Sequence, residues 1–80
     1  MAPQYVIVSN DGLDPFILCV EDGEPTSVQL ADYQRNPAAF AGLVWRTADV
    51  ATAQRAVERA RARAADWRCA PRSIGIYRIA

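Results

Sequence analysis

Three arginines, Arg55, Arg59 and Arg63, recur at four-residue intervals within an alanine-rich stretch, a spacing that lines them up along one side of an α-helix. Guanidinium groups in such a row can hold phosphates or carboxylates. If all three neutralised phosphates of a duplex, the log-log salt slope of binding would be about −2.7. A solvated helix back, with Glu58 and Asp66 alongside and ion pairs of a few tenths of a kcal/mol, accounts for the same pattern. Six carboxylates of the opposite sign, Asp11, Asp14, Glu21, Asp22, Glu24 and Asp32, all precede Tyr33. They could form an acidic patch that docks on a basic surface built to receive nucleic acid. Met1 to Gln34 carries those six acids and no base, whereas Arg35 to Ala80 carries nine arginines and three acids, so a net charge of zero conceals halves of −6 and +6.

Other chemistry is short of side chains. The chain has no histidine, which removes the commonest general base and any Ser-His or Cys-His arrangement. It has no lysine for a Schiff base or a phosphate loop, and its four glycines are scattered. Cys19 and Cys69 have neither the C-x-x-C spacing of a redox pair nor a histidine to complete a zinc site, and two cysteines do not make a secreted disulfide scaffold. Reduced thiols are expected. The clusters Asp11/Asp14 and Glu21/Asp22/Glu24 fall at predicted turns and do not match a calcium loop, so they read as solvated turn acids. No catalytic residue, metal or cofactor is therefore assigned, and the chain is expected not to be an enzyme; a carboxylate-only enzyme is the remaining alternative.

The elements that must position these charges are short. Gln4 to Ser9 is rich in β-branched and aromatic residues and ends at Asn10-Asp11-Gly12, which predicts a first strand. Phe16 to Glu21 runs into Asp22-Gly23, a tight-hairpin dipeptide, and Val28 and Leu30 alternate beyond it, giving strands two and three. Pro25 at the start of the third run is acceptable on an edge strand. Asn36 to Gly42 reads as one helical turn with Asn36 as N-cap, Pro37 first and Gly42 as terminator. Leu43 to Arg46 reads as a further short strand. Thr47 as cap and Asp49 as first-turn acid then open one long helix reaching Asp66 or Trp67.

Val50, Ala53, Val57, Ala60, Ala64 and Trp67 make the apolar stripe of that helix, with Arg61 and Arg68 flanking it. Ser73 to Ile79 closes the chain as a strand. Residues 1–80 are thus expected to form a single α+β domain: an antiparallel or mixed sheet of about four to five strands, in the order βββ-turn-β-α-β, with one long helix packed on one face. Strands one and two are apolar on both sides, Tyr5 and Ile7 opposing Val6 and Val8, and Phe16, Leu18 and Val20 opposing Ile17 and Cys19. The second face must be covered by the 31–42 loop with Tyr33 and Phe40, or by another chain.

Half the residues are apolar and 22% are charged, a globular composition. The apolar runs are far shorter than the roughly 20 residues of a membrane span, and the N-terminus does not read as a signal peptide, so a cytoplasmic protein with no membrane partner is expected. Opposite patches on one molecule also favour a two-fold homodimer.

The plan of a β-hairpin, a short strand leading into Trp45-Arg46-Thr47-Ala48-Asp49, an Ala-rich helix (VATAQRAVERARARA) and a closing strand (SIGIYRI) is similar to that of small proteins encoded by phages and other mobile elements. Among these it resembles some anti-CRISPR proteins, which are compact, non-enzymatic and charge-polarised. The resemblance covers the architecture and no single motif, so it transfers no functional residue. It implies a CRISPR effector complex as partner and blocked recognition of target DNA as mechanism. From the residues themselves the expectation is a small protein-interaction module that binds a nucleic-acid-handling complex, or else a nucleic-acid-binding protein using Arg55, Arg59 and Arg63.

Overall fold

The computed structural model describes residues 3–12, 14–20 and 25–79. Its centre is a four-stranded antiparallel sheet of β1 (Tyr5–Ser9), β2 (Phe16–Cys19), β3 (Thr26–Gln29) and β4 (Ile74–Arg78), ordered β3-β2-β1-β4. The two strands whose side chains are apolar on both faces, apart from Ser9 at the end of β1, occupy the middle. Val6 and Ile7 of β1 and Ile17 of β2 are fully buried, as only a sheet covered on both faces allows. The polar run Thr26–Gln29 takes an edge, just after Pro25, with Val28 as its one buried residue. Cys19 faces Thr26 and Phe16 faces Gln29, the register of a hairpin, although the Asp22-Gly23 turn itself lies outside the described residues. Gly12, in the β1–β2 connection, has φ of 134°, a conformation that side chains rarely adopt.

The sheet has four strands because Leu43 to Arg46, expected as a fifth, does not form one. β1 already has β2 and β4 as neighbours, and the incoming segment finds only the last free stretch of its edge. Tyr5 and Thr47 exchange backbone hydrogen bonds of 2.8 and 3.1 Å as an isolated bridge, after which the chain turns into the long helix. That helix, α2 (Val50–Ala62), is N-capped by Asp49 rather than Thr47. Asp49 accepts from the Ala51 and Thr52 amides, while the Thr47 hydroxyl accepts from the Asp49 amide and shapes the turn before the cap.

α2 also ends earlier than Asp66 or Trp67. Past Ala62 the chain tightens into a 3-10 turn, Ala64–Trp67, closed by Arg68 in the left-handed region at φ 57°. The amides of Arg68 and Cys69 there return to the Ala65 and Ala64 carbonyls. A second 3-10 turn, Pro71–Ser73, leads into β4.

Two apolar layers sandwich the sheet. On one face Ile7, Leu18 and Ile74 meet Ala53, Ala56, Val57, Ala60 and Ala64 of α2 and its extension. The stripe differs from expectation in its middle and at its start. Ala56 belongs to it and is fully buried, whereas Val50 is 48% exposed, so α2 meets the sheet only from Ala53 onward. On the other face Val6, Val8, Ile17, Cys19 and Val28 are covered by Leu30, Tyr33 and Val44, with Phe40 packed alongside.

The chain therefore closes its own second face. The cover is a short helix, α1 (Leu30–Arg35), and a 3-10 turn, Pro37–Phe40, whose Tyr33 and Phe40 rings lie 6.4 Å apart. Leu30 begins α1 and is not part of β3, a correction to the alternation seen in the sequence. Asn36 precedes the 3-10 turn as expected but makes no side-chain cap bond, and Gly42 falls in the turn beyond it. The two free thiols are in different layers, Cys19 under α1 and Cys69 beside α2, and cannot meet across the sheet.

Candidate functional site

α2 packs chiefly over β1 and β4, with Leu18 of β2 reaching into the same layer, so toward β3 that sheet face is met by Trp67 rather than by the long helix. The side of α2 that overlooks this region carries Arg59 and Arg63. With Ala60 they form one bank of an open depression of about 720 Å³, whose other lining residues include Val20, Trp45 and Trp67. Both tryptophans of the chain thus stand in the same depression as two of the three arginines of the helix row.

Trp67 is fixed from two directions. Its indole Nε1 donates to the Thr26 carbonyl at 2.9 Å, tying the 3-10 turn to edge strand β3. The Arg63 guanidinium sits over its ring, 5.3 Å from the centroid, a cation–π arrangement. Arg63 Nε also donates to Asp66 at 2.9 Å, so its charge is partly balanced. Arg59 has no carboxylate in salt-bridge range among the described residues. Trp45 is half-buried, held between buried Val44 and the Thr47 bridge. Arg55, third of the row, does not line the depression, and its Nη2 donates to the Thr52 hydroxyl at 3.3 Å.

The remaining charges of α2 and its flanks have other surroundings. Arg61 crosses to β4, where Nε and Nη2 both donate to the Ile74 carbonyl at 3.3 and 2.9 Å. A carbonyl of the β4 segment thus has a charged donor, and Arg61 is a structural strap rather than a binding group. Glu58 shares a shallower hollow with Arg61 on that side. Arg68 is exposed at the left-handed turn.

Three residues of the acidic set, Asp11, Asp14 and Asp32, lie among the described residues. Asp11 accepts the Ala70 amide at 2.8 Å, pinning the β1–β2 connection to the segment before β4. Asp32 pairs with Arg35, one turn further along α1. Asp14 is exposed. The Leu30 amide donates to the Pro15 carbonyl, which brings the start of α1 to the same end of the sheet as Asp11 and Asp14. Glu21, Asp22 and Glu24 lie outside the described residues. Asp11, Asp14 and Asp32 are the described members of the acidic set, and they lie toward one end of the sheet.

The Asp49 carboxyl departs from its ordinary value. The Thr52 hydroxyl, donating to Asp49 Oδ2, holds the Asp49 carboxyl below the usual range. Partial desolvation opposes this, and the Ala51 and Thr52 amides and the Arg55 guanidinium reinforce it. This is cap chemistry and lies outside the depression. No three metal-binding side chains converge among the described residues, and no described helix is long and apolar enough to cross a membrane.

Arg59 and Arg63 were legible in the sequence as a row; Trp45 and Trp67 as their neighbours were not. Their separation in sequence carries no periodic signal, and Trp67 read simply as the end of the apolar stripe. Comparison with protein-family models, with curated proteins and with solved structures finds no match to this chain.

Proposed function

We propose that this chain is a non-enzymatic binding module whose working surface is the arginine side of α2 and whose ligand is a nucleic acid. The observation that carries the reading is that Arg59 and Arg63 share one open depression with both tryptophans. Arginines on a solvated helix back gain little from one another. The same arginines beside indoles form a surface that offers charge to phosphates and flat apolar area to bases.

The test is an anisotropy titration of the whole protein with labelled oligonucleotides, beginning at 50 mM salt and repeated at higher salt. Three phosphate contacts give a log-log slope of about −2 on a single strand and about −2.7 on a duplex. Absence of binding at 50 mM salt ends the reading.

A protein partner is the second reading, in which the module is an inhibitor of the anti-CRISPR type that docks by its acidic side on a nucleic-acid-handling complex. It is favoured by the bond from Leu30 to Pro15, which gathers Asp11, Asp14 and Asp32 at one end of the sheet. Asp14 is the residue to reverse first, because Asp11 and Asp32 already have internal partners. Undiminished binding of D14K to a candidate effector complex, with the same result for paired reversals at Glu21 and Glu24, sinks it.

A further inference from the structure

We propose that the depression beside α2 is a stacking site for an unpaired nucleobase, with Arg59 and Arg63 taking the adjoining phosphates, so that the protein prefers a single strand to a duplex. The inference rests on the nucleic-acid reading above and adds to it the kind of strand. Trp67 enters binding already oriented, because its Nε1 is held by the Thr26 carbonyl and its ring lies beneath Arg63. A side chain fixed in this way loses little rotamer freedom when a base packs against it.

The Arg63 guanidinium is itself planar, so guanidinium and indole together extend the surface on which a base can stack. Trp45 supplies a second indole from a segment anchored on both sides, by Val44 in the core and by the Thr47 bridge. The opening, about 720 Å³, is of the size that takes a small flat group, and its charge is complementary to phosphate. In a duplex the bases are stacked on each other, and their faces are out of reach of such a site. A run of carboxylates alone could satisfy the arginines but offers no aromatic face to the indoles.

The experiment compares five probes on the wild-type protein at 50 mM salt: a 12-nucleotide oligo-dT, its RNA counterpart, an abasic 12-mer with the same number of phosphates, a 12-base-pair duplex, and poly-glutamate. Intrinsic tryptophan fluorescence is read beside anisotropy. The oligo-dT should bind about 5- to 150-fold more tightly than the abasic strand for each base stacked, and should quench the tryptophans. Trp45→Ala should remove most of that ratio, and Arg59→Ala should reduce the salt slope by about 0.7 while leaving the ratio.

Equal affinity for oligo-dT and abasic strand overturns the stacking site but leaves the nucleic-acid reading standing. Tighter binding of the duplex than of either single strand does the same. Binding of poly-glutamate with no binding of any oligonucleotide overturns both. The abasic comparison uses only the wild-type chain, so it decides the matter even if a tryptophan variant does not fold.

Discussion

Replacing Ala56 by leucine and, separately, Val50 by leucine tests how α2 is seated. Ala56 is fully buried against the sheet and Val50 is 48% exposed, although the two are less than two turns apart on one helix. A leucine at Ala56 must place three additional carbons between the helix and the layer of Ile7, Leu18 and Ile74. Overpacking of this kind costs about 1–3 kcal/mol. A chain of this length has roughly 4–12 kcal/mol of stability in all, so the change removes a sizeable share. At about 4–8 °C per kcal/mol for a small domain, the melting temperature should fall by roughly 5–20 °C. At Val50 the same side chain meets solvent, and the effect should stay within about 0.5 kcal/mol.

Thermal melts and urea titrations, followed by tryptophan fluorescence and by far-ultraviolet circular dichroism, measure both variants. The two signals should coincide if unfolding is two-state. A melting temperature unchanged in A56L would mean that α2 is not held at alanine distance from the sheet. A loss in V50L equal to that in A56L would mean that the stripe does extend to the first turn.

Two further outcomes concern polar contacts. The Asp49 carboxyl has a lowered pKa in the folded chain, so its contribution to stability is full above the unfolded value and is lost as pH falls through the folded one. Thermal melts from pH 7 to pH 2.5 should accordingly show wild type above D49N at neutral pH and the gap closing below about pH 4; a gap independent of pH would contradict the cap. Ser73 Oγ donates to the Ala70 carbonyl at 2.6 Å, which leaves the hydroxyl of Ser9, 3% exposed, to donate to Ser73 Oγ at 2.8 Å. S73A should cost about 1–3 kcal/mol through the orphaned Ser9 hydroxyl, and S9A/S73A should cost less than the two single changes added together.

The strands were legible because their residues leave little choice. A run such as Tyr-Val-Ile-Val is apolar on both faces and belongs in the middle of a covered sheet, and that is where β1 lies. Leu43 to Arg46 has the same local preference and failed as a strand because pairing is a property of neighbours. α1 was missed for the opposite reason, since its buried positions, Leu30 and Tyr33, are a single i,i+3 pair and too few to show a period.

The left-handed Arg68 was equally hidden, because glycine is the usual signal for that conformation. Of the candidate site, the arginine row could be read from spacing alone. The depression beside it could not, because it arises from where α2 comes to rest on the sheet. The neighbourhood of Asp11, Asp14 and Asp32 could not be read from spacing either, since the Leu30 amide meeting the Pro15 carbonyl brings the start of α1 to the end of the sheet that carries the β1–β2 connection.

The strand order β3-β2-β1-β4 has a consequence for how the molecule comes into being. β1 is synthesised first and β4 last, yet Val6 pairs with Tyr77 and Ile7 with Ile76. Until residues 74–78 have left the ribosome, one whole edge of the most apolar strand has no partner, and the long loop it must close makes that pairing entropically slow. A nascent or clipped chain that lacks its last strand would present Val6, Ile7 and Val8 as an open edge to any other extended polypeptide. Residues 74–78 therefore close the open edge of β1, and the protein's yield in a cell should depend on them far more than their modest burial suggests.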